Sequence, residues 1–431
     1  MQNQNNLNRS LPPQFNSIDG IQLISPVESI FENGLGLFLF DSPGQELVRL
    51  EWIFNNVFDE NENPLLNTTL SAMIKEGTLD MSSAEIAEVV DYYGAYLIPE
   101  YSYDQTSITL YVLNKHIGKL LPVIKQLLTQ ATFPQNELDT YVRNNKQTLS
   151  ISLQKNDFVA RRLFYTDIFG ENRYGTVPTV EQYDSITREQ IIDLYTKQVQ
   201  PHNCNLFISG KIDSTLMGAI TTIFGEQWAA THPEISLSAP ILRATDGKLI
   251  YEERKEALQS AIRLGYPIIG RSHIDFPEVQ VVNTLLGGFF GSRLMRNIRE
   301  EKGYTYSIGS AVASLKHGGF FTIASEVGAE FTQATLTEID TELDKLQQEL
   351  VSEEELATVK SYMLGSMLGS LESIFSHADK FKNVHYSGIS LDYYDRYTQA
   401  VKSITAQRVR DIAKKYFRKE NLVRVVVGKL D

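Results

Sequence analysis

A single cysteine, Cys204, occurs in 431 residues. That excludes an internal disulfide framework and any metal site built on several thiolates. Histidine is scarce too: His116, His202, His232, His273, His317, His377 and His385 are all there are. None forms His-x-x-x-His, and none has a neighbouring Glu at ligand spacing. His202 and Cys204 stand two apart, which reads as ordinary strand packing. No apolar run approaches the roughly 20 residues of a membrane helix. The stretch MQNQNNLNRSLPPQF has no apolar centre. Residues 1–20 are therefore expected to be a flexible tail rather than a secretory signal, and a cytoplasmic location follows as an expectation. Positive charge is in deficit, with a net charge of −13, which argues against nucleic acid as a partner. The basic run Arg408–Lys419 reads as the solvated face of an amphipathic helix. There is no G-x-S-x-G nucleophile elbow and no phosphate loop.

What the chain does contain is a repeat. Ser185–Asp213 reads SITREQIIDLYTKQVQPHNCNLFISGKID, and Ser403–Asp431 reads SITAQRVRDIAKKYFRKENLVRVVVGKLD. They align without a gap, 218 residues apart, with nine of 29 positions identical. Glu137-Leu138 and Glu355-Leu356 keep the same offset, and QELVRLEWIF from Gln45 corresponds to QSAIRLGYPI from Gln259. A repeat this long is a duplicated domain, not a solenoid period. Each half reads as strands, a helix, a strand, several helices and a closing strand. This predicts an α+β fold of two tandem units, each a mostly antiparallel or mixed sheet with helices packed on it. Boundaries are expected at 21–228 for the first unit and 247–431 for the second. Residues 229–246, irregular and carrying Pro233 and Pro240, are the expected linker.

Leu285–Ser307, LLGGFFGSRLMRNIREEKGYTYS, carries the most specific signal. Gly287, Gly288 and Gly291 precede a short helical run with Leu294, Met295 and Ile298 on one side. Lys302-Gly303 is a stop signal, and Tyr304, Tyr306 and Ile308 alternate as in a half-buried strand. Arg299 then ends the helix and Tyr306 begins the strand, so a guanidinium fork and a phenol converge as donors for carbonyl oxygens. Ser292, Arg293, Leu294, Arg299 and Tyr306 match, in order and spacing, the C-terminal half of the M16 metallopeptidases (insulinase and mitochondrial processing peptidase-like). The chain resembles that family over nearly its whole length. The resemblance implies two units of the LuxS/mitochondrial processing peptidase-like fold.

Active members of the family carry His-x-x-Glu-His on an N-terminal helix. Two imidazoles bind Zn²⁺, the Glu activates water, and a distant Glu is the third ligand. The matching helix here, Pro64–Thr78, is capped by Asn63 and ended by Gly77. It holds Thr68, Ser71 and Ala72 at the three motif positions. The helix expected to supply the third ligand, Glu137–Gln154, has Ser150, Ile151 and Ser152 near that place. The resemblance therefore implies a chain with no metal or other cofactor of its own. It implies a subunit that pairs with a zinc-bearing homologue, or with itself, and lends Arg299 and Tyr306 to a zinc site acting on unfolded peptides. Such a chain is inactive alone. The alternative is a catalytically inactive structural or peptide-binding scaffold of the same fold.

Overall fold

The computed structural model describes residues 10, 18, 20–58, 62–234 and 239–430. The first sheet uses β1 (Val27–Ile30), β2 (Gly36–Asp41), β3 (Leu47–Asn55), β4 (Tyr96–Tyr101), β5 (Gln105–Leu113) and β6 (Cys204–Gly210). The second uses β7 (Lys248–Glu253), β8 (Gln259–Ile268), β9 (Thr305–Leu315), β10 (Gly318–Gly328) and β11 (Val423–Gly428). Their orders are β1-β2-β6-β3-β5-β4 and β7-β11-β8-β10-β9. Apart from β1 the two are the same sheet built twice. In each, one pair is parallel, β2 with β6 and β7 with β11, and the other neighbours are antiparallel. The α+β duplication expected from the repeat is thus the architecture. β4 and β9, the strands that follow the two motif helices, are the matching edges.

Alternation along the strands decides which face each helix covers. Val48, Leu50, Trp52 and Phe54 of β3 point one way, into a core closed by helices such as Ile117–Gln130. Arg49, Glu51 and Ile53 point the other way. A comparable core lies on one face of the second sheet, under Phe276–Asn283, Thr332–Gln348 and Ala406–Tyr416. The remaining faces are covered by exchange. Asn156–Phe169, from the first half, lays Val159, Ala160 and Phe164 against Ala261, Val423, Val425 and Val427 of the second sheet. Ile374–His385, its counterpart 218 residues later, lays Ile374, Ala378 and Phe381 against Phe38, Phe40 and Phe207 of the first. Each half thus completes the other's sheet.

Charge follows the same exchange. Arg49 bonds Glu51 and Asp379, each at 2.9 Å, and Lys382 bonds the same two carboxylates at 2.5 and 2.8 Å. Burial opposes ionisation of Asp379, but Lys382 and Arg49 outweigh it and hold the carboxyl below its usual range. On the other side Arg263 meets Asp157 at 2.5 Å.

No helix or strand lies between Glu226 and Lys248 among the described residues, the span that contains the expected linker 229–246. The expected tail, 1–20, falls mostly outside the described residues. Ile18 is described, and it packs with Ile21 and Leu23 on the second core. No helix among the described residues is long and apolar enough to cross a membrane.

Candidate functional site

The glycine turn expected before the Arg-bearing helix exists because strand β9 runs against it. A Cβ on Gly287 would lie 2.5 Å from the Ser310 nitrogen, so only hydrogen fits there. Phe289–Ser292 closes a tight turn through Ser292 N–H donating to Phe289 O at 3.1 Å. The chain then coils with a wide π-helical turn over Met295–Glu301, burying Leu294, Met295 and Ile298 as their spacing predicts. Gly303, at φ 68°, takes the left-handed stop. The turn is pinned from several sides. Asn297 donates to Glu338 at 3.0 Å and to Glu342 at 2.8 Å, Lys302 meets Glu338 at 3.0 Å, and Tyr304 stacks on Phe331 at 4.6 Å.

One expectation is corrected here. Tyr304, Tyr306 and Ile308 do not simply alternate into a half-buried face. The β9–β10 register slips between Ser325 and Val327, where Thr305 to Ile308 on β9 spans Val327 to Ser325 on β10. The extra residue is a bulge, fixed by Ser325 Oγ and Thr305 Oγ1 both donating to Ser307 O. Bulges re-aim side chains. Ile308 stays in the core, while Tyr306 is turned outward and is 86% exposed. Periodicity has no signal for this, because a bulge depends on which partner residues are skipped.

Arg299 and Tyr306 come together as the spacing predicts. The Arg299 guanidinium carbon lies 5.1 Å from the Tyr306 ring centroid and 4.7 Å from that of Phe290. No hydrogen bond or ion pair holds Arg299 among the described residues. Arg293, six residues earlier, contrasts with it. It donates from two nitrogens to the two Glu355 oxygens at 2.9 Å each, so the Ser-Arg-Leu segment is anchored internally. Ser292 and Leu294 beside it are buried. Within the basic run 408–419, Arg408 meets Glu278 and Asp275, Lys415 meets Asp275, and Lys419 meets Asp344.

The first-half helix is shorter than the sequence pattern predicts. It spans Leu66–Met73, with Asn63 Oδ1 accepting from Leu65 N–H at its start and Gly77 lying beyond a further turn. Thr68 lines a cavity of about 590 Å³ with Phe58, Leu65, Tyr101, Tyr103 and Arg173. Burial pushes the Tyr101 phenol up to about 12, and Thr68 beside it works in the opposite sense. Arg173 forms no free charge there: its Nε and one terminal nitrogen reach Asp104 at 3.0 and 2.7 Å. Ser71 is buried. Ala72 has no donor atom, and neutral hydroxyls bind zinc poorly beside imidazole or thiolate. These residues do not fit a zinc ion. Ser150 is exposed and donates to Lys146 O. Among the described residues no group of three His, Cys, Asp or Glu side chains could hold a metal ion. Neither Arg299 nor Tyr306 lines that cavity.

A family profile described as "Peptidase M16 inactive domain" matches residues 185–363, which include Arg299 and Tyr306. The chain is similar to the M16 peptidases in this segment and, more weakly, along most of its length. It is 26% identical to YmxG of Bacillus subtilis, named an uncharacterized zinc protease, over 90% of this chain and 94% of that one. It is 22% identical to the YmxG of Helicobacter pylori named a non-peptidase homolog, over 83% and 82%. The crystal structure of a peptidase M16 inactive domain from Pseudomonas fluorescens superposes with a TM-score of 0.86 at 19% identity, covering 95% of this chain and 99% of that one.

Sequence reading missed two contributors. Phe290 carries no pattern that ties it to Arg299. Asp104 joins Arg173, Tyr174 (2.7 Å) and, at 4.0 Å, His317 from the β9–β10 turn of the other half. That junction exists only once the two halves are packed together.

Proposed function

We propose that this chain holds no zinc and instead lends Arg299 and Tyr306 to the active site of a zinc-bearing M16 partner that cleaves unstructured peptides. The observation that carries the reading is a guanidinium with no protein acceptor among the described residues, standing beside a phenol turned out of the core by a bulge. Tyr306 is exposed and Arg299 is half-buried, so both donors can be reached by an acceptor from outside the chain. In the proposed complex the Arg299 fork donates to a carbonyl oxygen of the bound peptide. The Tyr306 hydroxyl donates to the oxygen that gains negative charge as the peptide bond is attacked. Neither step needs a metal ligand from this chain.

The test is reconstitution. The chain is mixed with a zinc-bearing M16 homologue from the same genome, and cleavage of a quenched fluorescent peptide is followed. Wild type raises turnover of the partner, and Arg299→Ala/Tyr306→Phe does not. Full stimulation by the double variant would falsify the reading.

A second reading, a peptide-binding scaffold, draws on the open edge strand β4. Its outer side carries Tyr96 and Ile98 exposed to solvent. An extended peptide adds to such an edge through backbone hydrogen bonds. Equal peptide affinity with or without Arg299 and Tyr306, and no stimulation of any partner, would favour it.

A further inference from the structure

Phe290 has no role in either core, yet it is a large apolar side chain 61% open to water. Its neighbour Phe289 behaves differently, stacking on Tyr362 at 4.9 Å against the second core. The turn Phe289–Ser292 places Phe290 at its second position and so displays the ring outward. What covers that ring is the Arg299 guanidinium, 4.7 Å from its centroid. The Tyr306 ring meets the same guanidinium at 5.1 Å. Phe290 and Tyr306 form no ring contact with each other among the described residues, so they approach the cation from different directions.

We infer that Phe290 is a positioning residue for Arg299, fixing its guanidinium by ring contact so that the N–H edge stays free for an acceptor outside the chain. This rests on the proposed role of Arg299. The chemistry is that of a planar cation. Its N–H donors lie in its plane, and aromatic rings contact its faces. A carboxylate partner would hold the arginine just as firmly but would consume the donors, as Glu355 does for Arg293. Two rings hold it and leave the donors available. Glu300 and Glu301 follow Arg299 in sequence but make no ion pair with it among the described residues, which leaves the fork open.

Two measurements test this. In the ¹⁵N-labelled full chain, the Nε–Hε resonance of Arg299 is identified by its loss in Arg299→Lys. Ring currents should displace it from the main arginine group. In Phe290→Leu, which keeps apolar bulk, it should move back toward that group, and in Phe290→Tyr it should stay displaced. An unmoved resonance in Phe290→Leu overturns the inference. In the reconstituted complex, Phe290→Leu should lower kcat by roughly two- to fivefold, the worth of an exposed cation–π contact. KM and Tm should be unchanged, and Phe290→Tyr should restore the rate. If Arg299→Lys slows turnover and Phe290→Leu does not, Phe290 positions nothing of consequence. If neither changes turnover, it is the donation of Arg299 to a partner that fails, and the resonance alone decides whether Phe290 sets the cation.

Discussion

At the scale of single residues, exposure separates the side chains that hold this protein together from those proposed to meet a partner. Tyr306 is displayed on a bulge, and its hydroxyl has no partner among the described residues, so it adds little to stability. Tyr306→Phe should lower kcat of the reconstituted complex by on the order of 10²- to 10³-fold, about 3–4 kcal/mol, with Tm unchanged. Unaltered kcat with a lower Tm would reverse the assignment. Thr68→His/Ser71→Glu/Ala72→His should not create a peptidase or bind stoichiometric zinc by elemental analysis. The third ligand is still missing, and a Glu at buried position 71 enters as an unpaired charge. Asp275 is a stability residue by contrast. Burial works against its charge, but Lys415, Tyr416 and Arg408 prevail and hold its carboxyl below the usual range. A depressed folded-state value contributes stability above the unfolded value, near 3.9, and loses it as pH falls through the folded value. Asp275→Asn should therefore cost about 1–2 kcal/mol at pH 7, and the gap from wild type should close in acid. A gap that persists at pH 2 would contradict this. The identities and spacing of Arg299 and Tyr306 were legible in sequence, because a helix stop and a strand start leave few geometries for seven residues. The outward turn of Tyr306 was not, because the bulge is defined by pairing with β10.

At the scale of elements, the two exchanged helices are the distinctive feature. Ile374–His385 belongs to the second half in sequence and to the first sheet in packing. Phe381 meets Phe38, Phe40 and Phe207 with ring centroids 5.6, 5.8 and 6.3 Å away. Truncating a buried phenylalanine removes its transfer free energy and leaves a cavity. Phe381→Ala should cost about 3–5 kcal/mol in a urea titration. Hydrogen exchange should quicken in β2 and β6, more than 150 residues away in sequence. Faster exchange confined to residues 374–385 would mean that the helix is only draped on the sheet. The sequence repeat shows that Asn156–Phe169 and Ile374–His385 are equivalent. It does not show that each crosses to the other sheet, since an apolar helix face carries no address.

At the scale of the molecule, two copies of one sheet are tied by two crossed helices and by the Arg49–Glu51–Asp379–Lys382 network. The halves should therefore unfold as one. Trp52 and Trp228 both lie in the first core, so tryptophan fluorescence reports that half, while far-ultraviolet circular dichroism reports both. Coincident urea midpoints from the two probes are expected. A fluorescence transition well separated from the dichroism transition would show that the halves are independent. The amino-acid sequence by itself determined the duplication, the α+β class, the resemblance to the M16 peptidases, and the absence of imidazole and carboxylate at positions 68, 71 and 72. Those follow from residue identity and from periodicity, which are local. Only the tertiary structure decided that each half completes the other, that a bulge turns Tyr306 outward, and that Phe290 lies beside Arg299. Those depend on which surfaces meet across hundreds of residues, and the free energy of that meeting is shared among side chains that no local pattern connects.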